Sequence, residues 1–155
     1  MSNAANAAGV ARPIKGLARR AAITGLGLAL AFADRTSSAD VVAVVSSKSA
    51  ITALSKSQIE DIFFGRVAHL PGGLQPVPLD QAEGSLARDE FYTKVAGKSP
   101  AQMKAYWSRI IFTGRGQPPK EVTSDTDLRK RVAKDPTAIG YIDASLVNES
   151  VRVVF

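Results

Sequence analysis

No cysteine occurs in this 155-residue chain, and it holds a single histidine, His69. The first absence removes disulfides, thiolate-held metal clusters, a thiol nucleophile and a lipid anchor on an N-terminal cysteine. The second leaves any Ser–His–acid triad dependent on His69, beside the turn "LPGG", and no nucleophile elbow G-x-S-x-G accompanies it. His69 therefore reads as a solvated loop residue. A zinc site needs more nitrogen or sulfur ligands than remain. A Walker loop and a dinucleotide fingerprint are also missing: "TGRGQPP" has two glycines but neither a following lysine nor a helix start. The neighbouring carboxylates Glu60–Asp61 and Asp89–Glu90 point in different directions from a helix and read as solvated faces. These absences point away from an enzyme, and no cofactor or metal is expected.

Charge of one sign is scarce over most of the chain. The formal net charge is +6, but Arg12, Lys15, Arg19, Arg20 and Arg35 precede residue 40 against one acid, Asp34. Of the 20 basic and 14 acidic residues, 15 and 13 then remain, a net of +2. That balance does not support a basic stripe for nucleic acid. The excess belongs to the start of the chain, where basic "RPIKGLARR" precedes the 13-residue apolar run "AAITGLGLALAFA". Such a run is too short to cross a bilayer. Small residues follow, with cleavage patterns ending at Ala33 and Ala39, and this order is that of a secretory signal peptide. The expected organisation is a signal peptide over 1–39 and one domain over 40–155, located in the periplasm. Cleavage after Ala39 is favoured because Asp40 opens directly onto "VVAVV".

Hydrophobic spacing divides the remainder. "DVVAVVSS" is a β-branched run and reads as a strand buried on both faces. In "LSKSQIEDIFFGR", Ser55 and Gln58 form a capping box ahead of Ile59, Ile62 and Phe63 on one helical face. "LQPVPL" carries Pro76 and Pro78 and reads as an edge strand, or one paired on a single side. "SLARDEFYTKV" puts Ala87, Phe91 and Val95 on one helix face beside Tyr92. "SPAQMKAYWSRIIF" has the cap Ser99, Pro100 first and Gln102 as box partner, with Met103, Tyr106, Trp107, Ile110 and Ile111 as the inward stripe. "TGRGQPPKEV" reads as a Gly/Pro loop. A helix follows, capped near Ser124, with Leu128 and Val132 inward and Pro136 as its stop. "AIGYID" reads as a buried strand, "ASLVN" as one helical turn and "VRVVF" as a last strand. The order β-α-β-α-α-α-β-β implies an α/β fold, a mixed β-sheet flanked by helices.

One stretch carries a candidate site. In "LDQAEGSLARDEF" a strand turns through Gly84 and Ser85 into a helix. That places backbone N–H groups and the positive end of a helix dipole at one point, a cradle for an anion. The Ser85 hydroxyl can cap the helix or donate to a ligand. Glu83 can accept the proton of a protonated oxyanion.

Four stretches together, "LSKSQIEDIFFGR", "LQPVPLDQAEGSLARDEF", "YWSRIIFTGRGQPPKEV" and "DPTAIGYIDAS", resemble the phosphate-binding-protein-like branch of the type II periplasmic binding proteins, the extracytoplasmic receptors of phosphate ABC transporters. The resemblance covers Val41–Val154. It implies a periplasmic-binding-protein-like lobe that binds phosphate or a related oxyanion at Gln81, Glu83, Gly84, Ser85 and Leu86. It also implies an ABC transporter permease as partner, while the missing first lobe leaves a second copy of the chain as another. In the family the segment matching Gln81–Ala87 reads Arg-x-Asp-Gly-Ser-Gly-Thr. Here Gln81 stands at the arginine and Glu83 at the aspartate, Gly84 and Ser85 match, and Leu86 and Ala87 replace the second glycine and the threonine. The lost charged donor weakens the grip, since a charge-assisted hydrogen bond contributes about twice a neutral one. Arg88 and Arg115 are the candidate substitutes, and both read as solvated surface charge. Family members close two lobes on the ligand, whereas residues 40–155 match one. The alternative expectation is a periplasmic interaction protein that kept the lobe and lost the ligand.

Overall fold

The structure, a computed structural model, describes residues 40–155; the signal peptide expected over 1–39 lies outside the described residues. Strand β1 (Val41–Ser46) runs antiparallel to both β4 (Ala138–Asp143) and β5 (Val151–Val153). On the other side of β4 lie β2 (Val77–Gln81) and then β3 (Lys120–Val122), parallel to one another, with β2 also parallel to β4. The sheet order is β3-β2-β4-β1-β5. The β-branched run of β1 fits a central strand with both faces covered. Val41, Ala43 and Val45 point into one apolar cluster and Val44 into the other, as the two-residue side-chain period of a strand requires.

Helices α1 (Lys56–Phe63), α2 (Leu86–Ala96) and α3 (Pro100–Phe112) supply the first cluster. Ile59, Ile62 and Phe63 enter it from α1, Phe91, Tyr92 and Val95 from α2, and Met103 and Trp107 from α3. Phe91 stacks on Tyr141 of β4 with ring centroids 3.9 Å apart. Helix α4 (Asp125–Lys134) covers the opposite face with Leu128 and Val132. It lies so close to β4 that a Cβ at Gly140 would come within 2.3 Å of Leu128 Cδ2. Both capping boxes, Ser55–Gln58 and Ser99–Gln102, form as expected.

Three expectations change. The segment read as a Gly/Pro loop ends in β3, so the order becomes β-α-β-α-α-β-α-β, then a 3₁₀ turn (Ala144–Leu146) and β5. Of the two readings of β2, the edge position is overturned, since the strand lies inside the sheet, while the single-sided pairing holds along it. The strand reconciles its proline by pairing with β4 only through Val77 and Pro78, and with β3 only through Leu79–Gln81; at Pro78, which has no N–H, the pairing is one-sided. Ile111 does not join the stripe of α3 but is 54 % exposed, since the helix is leaving the core at its last turn.

Candidate functional site

Strands β2, β3 and β4 run in the same direction, so their C-terminal ends meet along one rim: Gln81, Val122 and Asp143. From that rim start α2 after Gln81 and α4 after Val122. The crevice beyond the carboxyl ends of parallel strands is where open α/β sheets place ligands. Gly84 makes the turn into α2 with φ of 88°, a conformation costly for a side chain bearing Cβ. Ser85 is the N-cap: its hydroxyl accepts from Arg88 N at 3.1 Å. The first-turn N–H groups of Leu86 and Ala87 have, by position, no intrahelical acceptor. Leu86 is exposed and Ala87 is buried.

Gln81, the first of the expected site residues, turns inward. Its Nε2 donates to Asp125 Oδ1 at 2.8 Å and to the Tyr141 carbonyl at 3.3 Å. Its Oε1 accepts the Ser85 hydroxyl at 3.1 Å. Asp125 Oδ1 also accepts from Asp143 N at 3.2 Å. One carboxylate oxygen thus ties the start of α4 to the ends of β2 and β4. Both amide hydrogens of Gln81 and the single hydroxyl proton of Ser85 are spent inside this network.

Behind the turn lies a charged cluster that sequence reasoning missed. Asp80 is 1 % exposed. It accepts from Arg88 Nε at 3.3 Å, the Tyr92 hydroxyl at 2.8 Å, Gln81 N at 2.9 Å and the Tyr141 hydroxyl. Four donors fill a carboxylate's capacity. Burial pushes both phenols well above the ordinary tyrosine value, and the Asp80 charge pushes the same way. For Arg88, burial acts downward, but attraction to Asp80 and the hydrogen bond to it outweigh that and the net shift is upward. Arg88 is therefore a buried counter-ion and not solvated surface charge. A signal was present: Arg88, Phe91, Tyr92 and Val95 fall at i, i+3, i+4 and i+7, so Arg88 lies in the apolar stripe of α2 and needs a buried acid.

Arg115 is exposed, on the loop after α3. The cation that the fold does bring to the turn is Lys104 of α3, whose Nζ lies 3.2 Å from Glu83 Oε1 with both side chains exposed. The spacing of Glu83 and Lys104 in sequence gave no hint of this pair. Among the described residues, three concave surfaces lie elsewhere: at Ala50–Leu54 with Leu70–Leu74, on α3 around Tyr106, and beside Trp107. No group of acidic and histidine side chains that could hold a metal occurs among the described residues.

No protein-family model and no curated protein matches the chain. Solved structures do. A protein from Clostridium perfringens, described as a phosphate ABC transporter substrate-binding protein with bound phosphate, superposes with a TM-score of 0.59 at 21% identity. The match covers 74% of this chain and 43% of that one. An ABC-type phosphate transport receptor from Vibrio cholerae superposes with a TM-score of 0.58 at 18% identity, over 74% of this chain and 44% of the receptor. At these identities the likeness is one of fold. The described residues form a lobe of the kind found in phosphate transport receptors, and the match spans less than half the length of either.

Proposed function

We propose that residues 40–155 form an extracytoplasmic, non-catalytic solute-binding lobe that takes phosphate or a related oxyanion at the N-terminus of α2. Gly84, Ser85 and Leu86 form the cradle, Gln81 lies behind it, and Glu83 and Lys104 stand at its rim. The observation that carries this reading is the positive-φ Gly84 leading into the Ser85 cap at the carboxyl end of a parallel strand. The fold likeness to two phosphate receptors supports it, and the leader pattern supports the location. Lys104, paired with Glu83 at the turn, takes the place of the missing arginine as the mobile cation. Ser85 contributes only if its hydroxyl proton moves from Gln81 to the ligand. A single solvated lobe with one long-armed cation binds more weakly than a site closed between two lobes.

A second reading has its own observation. The donors of Gln81 and Ser85 are already satisfied within the protein, as in a lobe that has kept its fold, lost its ligand and meets a protein: a transporter permease, an envelope component or a second copy. Amide NMR during a phosphate titration, with sulfate as control, separates the two. Saturable, phosphate-selective shifts at Gly84, Ser85 and Leu86, reduced in Lys104→Ala, support the anion site. Silence at millimolar phosphate rejects it in favour of the ligand-free lobe.

A further inference from the structure

Between Phe91 and Lys120 the chain has six basic residues and no acidic one. Two of the six are paired, Lys94 with Asp40 and Lys104 with Glu83. Lys98, Arg109, Arg115 and Lys120 form no ion pair among the described residues. This segment holds the most exposed large apolar side chain described, Phe112 at 93 %, next to Ile111. All eight residues from Ile111 to Pro118 are exposed, so the end of α3 is a tip rather than a groove. The tip is held firmly. Thr113 ends the helix, Gly114 takes the left-handed conformation with φ of 66°, and two closing bonds follow: Gly114 N to Ile111 O at 3.0 Å and Arg115 N to Ile110 O at 3.1 Å. That is the paired-bond helix stop that fixes where the chain leaves.

Ala105, Arg109 and Phe112 lie at i, i+4 and i+7 on one face of α3. A shallow concavity of about 400 Å³ on that helix is lined by Lys98, Gln102, Ala105, Tyr106 and Arg109. Of its two unpaired cations, Arg109 stands one turn before the exposed phenylalanine and Lys98 lies just ahead of the other end of the helix. We propose that this face docks on an anionic phospholipid bilayer: Lys98 and Arg109 receive a headgroup phosphate, Arg115 and Lys120 face neighbouring headgroups, and Phe112 with Ile111 enters the boundary with the acyl chains. The chemistry fits a lipid surface because basic side chains flank an exposed aromatic on a helix end. A second copy does not fit, since a two-fold contact through this tip sets the four unpaired cations against their own images. This surface is separate from the α2 cradle and does not depend on it.

The absence of cysteine permits a local test on the full chain. Ser108→Cys, on the exposed side of α3, carries a single environment-sensitive fluorophore, and the labelled protein is titrated with vesicles of phosphatidylcholine alone or with phosphatidylglycerol added. The expected result is a blue shift with the anionic vesicles that weakens in high salt. The double variant Arg109→Glu/Arg115→Glu binds at least about tenfold more weakly, at roughly 1 kcal/mol for each basic residue near an anionic surface. Phe112→Ser loses most of the blue shift. These residues are exposed, so the variants keep the far-ultraviolet circular dichroism of the parent. Equal shifts with both vesicle types, an unchanged response after charge reversal, or a shift that grows with protein concentration in the absence of vesicles would each overturn the proposal, the last in favour of self-association.

Discussion

At the scale of single residues, the largest energies sit behind the cradle and not in it. Arg88→Met leaves Asp80 buried with its countercharge removed, and breaking a buried pair in this way costs about 3–5 kcal/mol. Urea denaturation measures it, and a loss below about 1 kcal/mol would show that the pair is dispensable. Tyr92 and Tyr141 give this cluster a pH signature. Their folded-state pKa values lie above the ordinary tyrosine value of about 10. Above that pH the unfolded chain releases phenol protons that the folded protein keeps, so stability is full below about pH 10 and declines as pH rises further. The urea midpoint should fall across that range, and fall less steeply in Tyr92→Phe. The sequence displayed half of this cluster. Arg88 stood in an apolar stripe, but Asp80 lies at the end of an otherwise ordinary strand, and only the fold brings Tyr141 to it from 61 positions away.

At the scale of elements, the helix starts were the most legible features, because a cap is a local bargain between a side chain and the next turn. Ser55, Ser85, Ser99 and Ser124 all serve as expected. Ser85 allows capping and ligand binding to be separated. Ser85→Ala removes the cap, costing about 1 kcal/mol, and is expected to weaken phosphate-induced NMR shifts. Ser85→Asp keeps a capping oxygen, so stability holds, but its charge should abolish those shifts; a Ser85→Asp protein that still binds phosphate would refute the site. Packing between elements was less legible. Gly140 looked like one more residue of a buried strand, yet it is where α4 presses on β4. Gly140→Ala is expected to destabilise by about 1–3 kcal/mol through overpacking against Leu128 and Val132, read as a lowered thermal midpoint. Strand β3 escaped the sequence because three residues after two prolines have no period of their own; β2 supplies the order. Ile111 misled because helical spacing says which residues share a face, not where the core under that face ends.

At the scale of the whole molecule, the lobe architecture was readable from the alternation of elements and from four resembling stretches, and the structure bears it out. The strand-to-helix turn at Gly84 and Ser85 was readable; that Gln81 and Ser85 turn their donors to each other and to Asp125 was not. The sheet order also carries a prediction. Removing Val151–Phe155 deletes β5 and, with it, the bonds from Ala43 N to Phe155 O, Val154 N to Ala43 O and Leu54 N to Val154 O. The truncated chain is expected to lose cooperative thermal unfolding; a truncated chain that still melts sharply would show that β4 alone suffices for β1. This arrangement bears on the order of assembly. The first strand of the domain is flanked on both sides by the last two, across nearly the full span of 40–155. During synthesis its valines wait unpaired until those strands emerge, so the sheet closes late, through contacts distant in sequence that cost the most entropy to bring together. Such a domain cannot finish folding ahead of its own last strand.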